Sequence, residues 1–253
     1  MLGFISFSQN PKMQVNTFNT PLYTLFSPMS FARNSTTTTT TVPALVQSTA
    51  GNTLNLTNSI NCEGVAATFT NKFNPSKDWQ LKFTYTLTSA GGGASNADGI
   101  SVVVHNDARG TGAVGGSGSS LGCDVNDSYC SNNVTAIRNG MLWEFEIYSG
   151  AGNYGATLKT STSFPIITTI SGPVSPSPVT IQTNVPIDFT LRYTASTNSL
   201  AVSLTDGTNS KSYSYTINLS TAVGTSAYLA LTGGTGGSTA SQSITKVFML
   251  GYP

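Results

Sequence analysis

The run from Ala97 to Gly122 reads ADGISVVVHNDARGTGAVGGSGSSLG, and the order of its features decides the fold. An acid and a glycine, Asp98 and Gly99, open a nearly continuous apolar segment, Ile100 to Val104, of the kind found in core strands. A glycine-rich loop carrying Gly115 and Gly116 follows about ten residues later. A phosphate-binding loop would continue into GK[ST] and a helix start, and neither is present here.

Short alternating segments lie on both sides of this run. Trp79, Leu81, Phe83, Tyr85 and Leu87 share one face at period two, the mark of a half-buried strand. Leu54 to Leu56, Ala66 to Phe73, Leu142 to Tyr148, Ile187 to Tyr193, Leu200 to Leu204, Tyr213 to Ile217, Tyr228 to Leu231 and Ile244 to Leu250 add further strands. Turn signals divide them, among them Asp206-Gly207 and the glycines from Gly233 to Gly237. Roughly a dozen strands without a helical period predict an all-β sandwich or barrel. The proline-rich stretch Gly172 to Pro178 is read as a long loop, which leaves one domain over residues 44–253. Residues 1–43 read as an extended N-terminal arm. Pro11, Pro21 and Pro28 interrupt any periodicity there, and Thr36 to Thr41 form a threonine run that cannot bury enough apolar surface to fold alone.

Composition narrows the function classes. Charged residues make up 8% of the 253 and the net charge is +1, against about 25% charged in an average domain. No basic field exists to attract nucleic acid or anionic lipid, and no apolar run approaches the length of a membrane span. The N-terminal MLGFISFSQNPKMQ lacks a basic region and matches a signal peptide poorly. Low charge with abundant Thr, Ser, Asn and Gly nevertheless points to an extracellular, cell-surface or virion-surface protein. The sequons at Asn34, Asn55, Asn126, Asn133 and Asn218 are compatible with a glycoprotein. Cys123 and Cys130 flank the short loop DVNDSY and are expected to form a local disulfide, leaving Cys62 as a small buried hydrophobe.

Three segments, in order, resemble the L-type (legume-type) lectin domain over about residues 45–250. The first is the opening run, with its A-D-G strand start and downstream G-G loop. The second, Leu142-Trp-Glu-Phe-Glu-Ile-Tyr148, is similar to the family's V-E-F-D-T-[YF] metal strand. The third runs from Leu200-Ala-Val-Ser-Leu-Thr-Asp206 to the glycine-rich stretch after Tyr228, and resembles the loop that closes the family's sugar site. The resemblance implies a concanavalin A-like antiparallel jelly-roll sandwich that binds a glycan or glycoprotein without catalysis. It makes Asp98, after a cis Ala97–Asp98 peptide, the acceptor for sugar hydroxyls. It makes Gly115 or Gly116 the amide donor, and Gly233 to Gly237, with Gly234 and Thr235, the variable rim. The other reading of Asp98 is a strand cap or turn acid.

In the metal loop the chain departs from the family pattern. Glu144 and Glu146 keep the spacing that aims two carboxylates at one face of a strand. The expected Asp is a longer Glu, Gly150 stands for the expected asparagine, and Ala151-Gly-Asn-Tyr-Gly155 replaces the segment that ends in a histidine. Asn153 is a candidate shifted ligand. His105, the only histidine, lies on another strand and reads as a core or surface residue. The expected cofactor is therefore none, or one weakly held Ca2+. Two other classes stay open. A glycoside hydrolase would need a second acid where Tyr148 stands. A structural or attachment protein of a virus particle or surface layer would use the sandwich as a scaffold and its N-terminal arm to reach neighbouring subunits.

Overall fold

The computed structural model describes residues 22–24, 27–35, 44–46, 52–90, 96–125, 129–130, 135–151, 154–162 and 167–252. The strands among them are, in chain order, Tyr23–Thr24 (β1), Met29–Ser35 (β2), Ala44–Val46 (β3), Thr53–Asn58 (β4) and Glu63–Phe69 (β5). Then come Trp79–Ala90 (β6), Gly99–His105 (β7), Gly140–Glu146 (β8), Gly155–Ser161 (β9) and Ile167–Val174 (β10). Ile187–Thr194 (β11), Ser199–Thr205 (β12), Ser210–Thr216 (β13), Tyr228–Gly234 (β14) and Ala240–Leu250 (β15) complete the set. All strands pair antiparallel, in two sheets. The back sheet runs β13-β12-β11-β6-β15-β4-β3, with β1 also on β15, and the front sheet runs β10-β9-β8-β7-β14-β5-β2. No helix among the described residues is long and apolar enough to cross a membrane.

The two sheets enclose one core. The period-two face of β6 lies wholly inside it, as its alternation predicts. Phe189 of β11 bridges the layers, its ring 5.2 Å from Phe145 and 5.7 Å from Trp143 of β8. Each such fully buried side chain contributes roughly 1.5–3 kcal/mol. The back sheet alternates buried and exposed residues, as in β11 and β12, because its outer face meets water. In the front sheet β5, β7 and β8 are buried on both faces. The reason is a second apolar layer, in which Ala113, Leu121, Cys123 and Ile137 pack on the outward side chains of Val103, Leu142 and Ala230. This layer holds the loop after β7 against the sheet and so positions the candidate site.

Two expectations need correction. Part of the stretch read as an arm belongs to the sandwich, since β1 joins the back sheet and β2 pairs with β5 in the front sheet. The buried ring of Tyr23 stacks on Phe69 at 4.6 Å, and its hydroxyl donates to the carbonyl of Asn71. A few aromatic anchors suffice to dock a segment whose prolines hide its strand pattern. The threonine run lies outside the described residues. The second correction concerns the disulfide, which joins Cys62 to Cys130 with a Cα–Cα separation of 5.5 Å. Cys123 is free and buried, its thiol 3.2 Å from the Ser101 hydroxyl. Cys123 lies within the second apolar layer, packed against the front sheet, while Cys130 lies beside the turn between β4 and β5. Closeness in sequence did not decide the pairing.

Candidate functional site

Ala97 and Asp98 are joined by a cis peptide. The Asp98 N–H donates to the carbonyl of Gly234 at 2.9 Å, and its carbonyl accepts the Ile147 N–H at 2.7 Å. The acid is thereby clamped between the end of β14 and the chain leaving β8. Its carboxylate lies against Gly236, where an added Cβ would sit 3.0 Å from Oδ2. The next residue, Gly237, is covered by the ring of Tyr129, 2.9 Å from where a Cβ would be. Tyr129 is 67% exposed and precedes the disulfide-bonded Cys130. The other half of that disulfide, Cys62, donates its N–H to the Gly236 carbonyl. Asp98, the Gly236-Gly237 pair and Tyr129 thus form one continuous rim.

The glycine loop supports this rim in a different way from the one expected. The Gly115 N–H donates to Gly122 O and the Gly116 N–H to Asp124 O, both at 2.7 Å, so both amides are engaged within the loop. The chain folds back through the turn at Gly118–Ser120, and a Cβ on Gly115 would lie 2.4 Å from the Cys123 carbonyl carbon. Only glycine permits that approach, which is why the G-G pair is there. Asn34 of β2 donates to the Gly115 carbonyl, and Gly118 N–H to the Thr235 carbonyl at 2.8 Å. Thr235 is fully buried; its hydroxyl accepts the Glu63 N–H and donates to Ile60 O. Gly234 is buried as well, with its carbonyl shared by Asp98 and the Gln242 side chain. Of the residues expected to contact sugar, Asp98 reaches the rim. Gly115, Gly116, Gly234 and Thr235 hold it in place.

Glu144 and Glu146 share the outward face of β8 and are both buried. Diagonally across β9 stands Lys159, whose Nζ lies 2.6 Å from Asp124 Oδ2 and 2.7 Å from Glu144 Oε2. Burial pushes the Glu144 carboxyl up to about 7 despite the ammonium beside it. Burial and then the neighbouring Asp98 charge hold Glu146 well above the usual carboxylate range. For Lys159, burial works against the charged form, but the carboxylates of Glu144 and Asp124 outweigh it and keep the ammonium protonated. A cavity of about 360 Å³ opens beside these groups, bounded also by Ser119, Thr157, Thr169 and Pro173.

Calcium needs six to eight oxygen ligands at about 2.3–2.6 Å. Here one of the two strand carboxylates and the loop carboxylate Asp124 already bind an ammonium, and Gly150 offers no side chain. Among the described residues no group of three or more His, Cys, Asp or Glu is arranged to hold a metal. The donor set among the described residues does not fit a divalent cation. Asn153 lies outside the described residues. His105 is buried at the far end of β7, where its Nδ1 accepts the Asp107 N–H, consistent with a core role.

Sequence reasoning missed Lys159, Asp124 and Tyr129, while Gly236 lies within the expected rim. Lys159 carried a usable signal, since Leu158-Lys-Thr160 continues a strand in which a charge at an outward position of a covered sheet needs a partner. Tyr129 carried none, because its place depends on the disulfide.

No protein-family profile matches the sequence, and no curated protein matches it. Solved structures do. Basic winged bean lectin with Tn-antigen aligns at TM-score 0.63 and 14% identity, over 89% of this chain and 93% of that one. Lectin II from Ulex europaeus aligns at TM-score 0.61 and 16% identity, over 91% and 94%. The lectin from Bauhinia forficata in complex with GalNAc aligns at TM-score 0.59 and 15% identity, over 88% and 91%. The chain has the L-type lectin fold, a concanavalin A-like sandwich.

Proposed function

We infer that this protein binds carbohydrate, without catalysis, at the rim formed by Asp98, Gly236-Gly237 and Tyr129. The observation that carries the reading is the meeting of a clamped carboxylate and an exposed aromatic ring on one pair of glycines. A carboxylate accepts strong hydrogen bonds from two sugar hydroxyls, and an aromatic face packs on the apolar C–H face of a pyranose. The fold neighbours solved with GalNAc and with Tn-antigen support the same class of ligand. Glu144 is tied to Lys159 and shares a strand face with Glu146, so the pair does not flank a substrate as hydrolysis requires. The disulfide suits the oxidising setting of an extracellular, cell-surface or virion-surface protein. A glycan array on the wild type, Asp98→Asn and Tyr129→Ala tests the reading. Binding that both substitutions abolish supports it; binding unchanged in both, or no binding by the folded wild type, rejects it.

A second reading is a scaffold or attachment protein of a particle or surface layer. It is favoured by β2, an edge strand of the front sheet on which Phe31 is 41% exposed. An assembly that Phe31→Asp disperses, in a protein that binds no glycan, is the outcome this reading expects.

A further inference from the structure

The positive charge at the acidic face of β8 comes from the chain itself. Lys159 reaches from β9 to two carboxylates on separate elements, Glu144 on β8 and Asp124 in the loop after β7. All three side chains are largely withdrawn from water, Asp124 completely, so each charge needs the others. Asp124 also accepts the Val125 N–H, and its carbonyl accepts the Gly116 N–H, which ties the ion pair to the glycine loop. Cys123 adds a thiol 3.6 Å from Glu144 Oε1. An ammonium donates at most three hydrogen bonds, and two of them are accounted for by these carboxylates.

We propose that Lys159 is the resident cation of this site: its ammonium replaces a divalent metal ion and fastens the glycine loop to the front sheet. The rim next to it is then assembled without metal. A divalent ion entering the same cluster would meet the ammonium charge at close range, so the wild type excludes it. The proposal concerns how the wall of the site is built and does not depend on which ligand the rim takes.

The test uses the full chain and reads stability and metal content rather than ligand binding. Elemental analysis after dialysis is expected to find no stoichiometric calcium, manganese or zinc. Neither a chelator nor millimolar Ca2+ should shift the wild-type Tm. Lys159→Met leaves two buried carboxylates without a counter-charge and should lower Tm on the order of 10 °C, while Lys159→Arg retains most of the stability. Added Ca2+ or Mn2+ should raise the Tm of Lys159→Met and leave the wild type unmoved. One equivalent of tightly held metal in the wild type, a chelator-induced fall in its Tm, or a Lys159→Met Tm equal to wild type would each overturn the proposal. If Lys159→Met does not fold, the metal content and chelator response of the wild type decide the matter alone.

Discussion

Asp98 Oδ2 is buried and lies 3.0 Å from the place a Cβ on Gly236 would occupy, so the acid fits against that residue only because it has no side chain. The backbone on either side is independently fixed, by Asp98 N–H to Gly234 O and by Cys62 N–H to Gly236 O. The close fit of the carboxylate and the rigidity of the backbone are therefore set by different atoms.

Substitution at Gly236 is expected to separate the two. Gly236→Ala meets a carboxylate end at 3.0 Å, a contact relieved by a small side-chain shift. Gly236→Val should force the Asp98 carboxylate out of its place and weaken glycan binding by tenfold or more, about 1.4 kcal/mol. Its Tm should stay within a few degrees of wild type. Affinity measured by calorimetry beside a thermal melt checks this, and undiminished affinity in the Val variant would place the ligand elsewhere.

Thr235 should behave in the opposite way. Its hydroxyl serves the Glu63 N–H and Ile60 O in a buried setting, and Thr235→Val leaves both backbone groups short of a partner. The expected cost is about 1–3 kcal/mol of stability, read by urea denaturation. Glycan affinity below the transition should be unchanged, whereas a residue in the sugar contact would lose affinity first.

Peptide mapping under non-reducing conditions should recover Cys62 linked to Cys130. Cys123 should react with thiol reagents only after denaturation, because it is buried and burial pushes its pKa up. The bridge spans 68 residues, and loop closure of that length is worth about 4 kcal/mol in the chain-entropy account. Cys62→Ser should lose a comparable amount and, by loosening the loop that carries Tyr129, weaken binding as well.

The pH dependence of stability should carry the signature of His105. Burial pushes its imidazole down to about 4; the Asp107 charge opposes this, and Arg109 and Lys72 add to it. The ring of Tyr228 covers it at 5.6 Å. The unfolded chain takes up this proton near pH 6.5 and the folded one only near 4. The histidine's contribution is therefore complete above pH 6.5 and is lost as pH falls to 4, by about 3 kcal/mol. Glu144 acts with the opposite sign, favouring the folded state at lower pH, because its carboxyl is raised. Comparing wild type with His105→Gln by urea denaturation from pH 4 to 7 isolates the histidine, and identical slopes would contradict the assignment.

The sequence by itself determined the all-β class, the sandwich, the alternating face of β6 and the buried strand β7. Each of these rests on a local period or on a motif within a few residues, and strand geometry turns such patterns directly into faces. Tertiary structure alone decided the rest. Cys130 chose Cys62 over Cys123, Lys159 found Glu144 and Asp124, and Tyr129 came to lie over Gly237. It also turned Gly115, Gly116, Gly234 and Thr235 from expected contacts into supports, because their hydrogen bonds close within the loop and its neighbouring strands. These pairings join residues on different strands and loops, often tens of residues apart. Buried charges and buried amides must each find a partner, and which one lies within reach is fixed only when the loop after β7 packs onto the outer face of the front sheet.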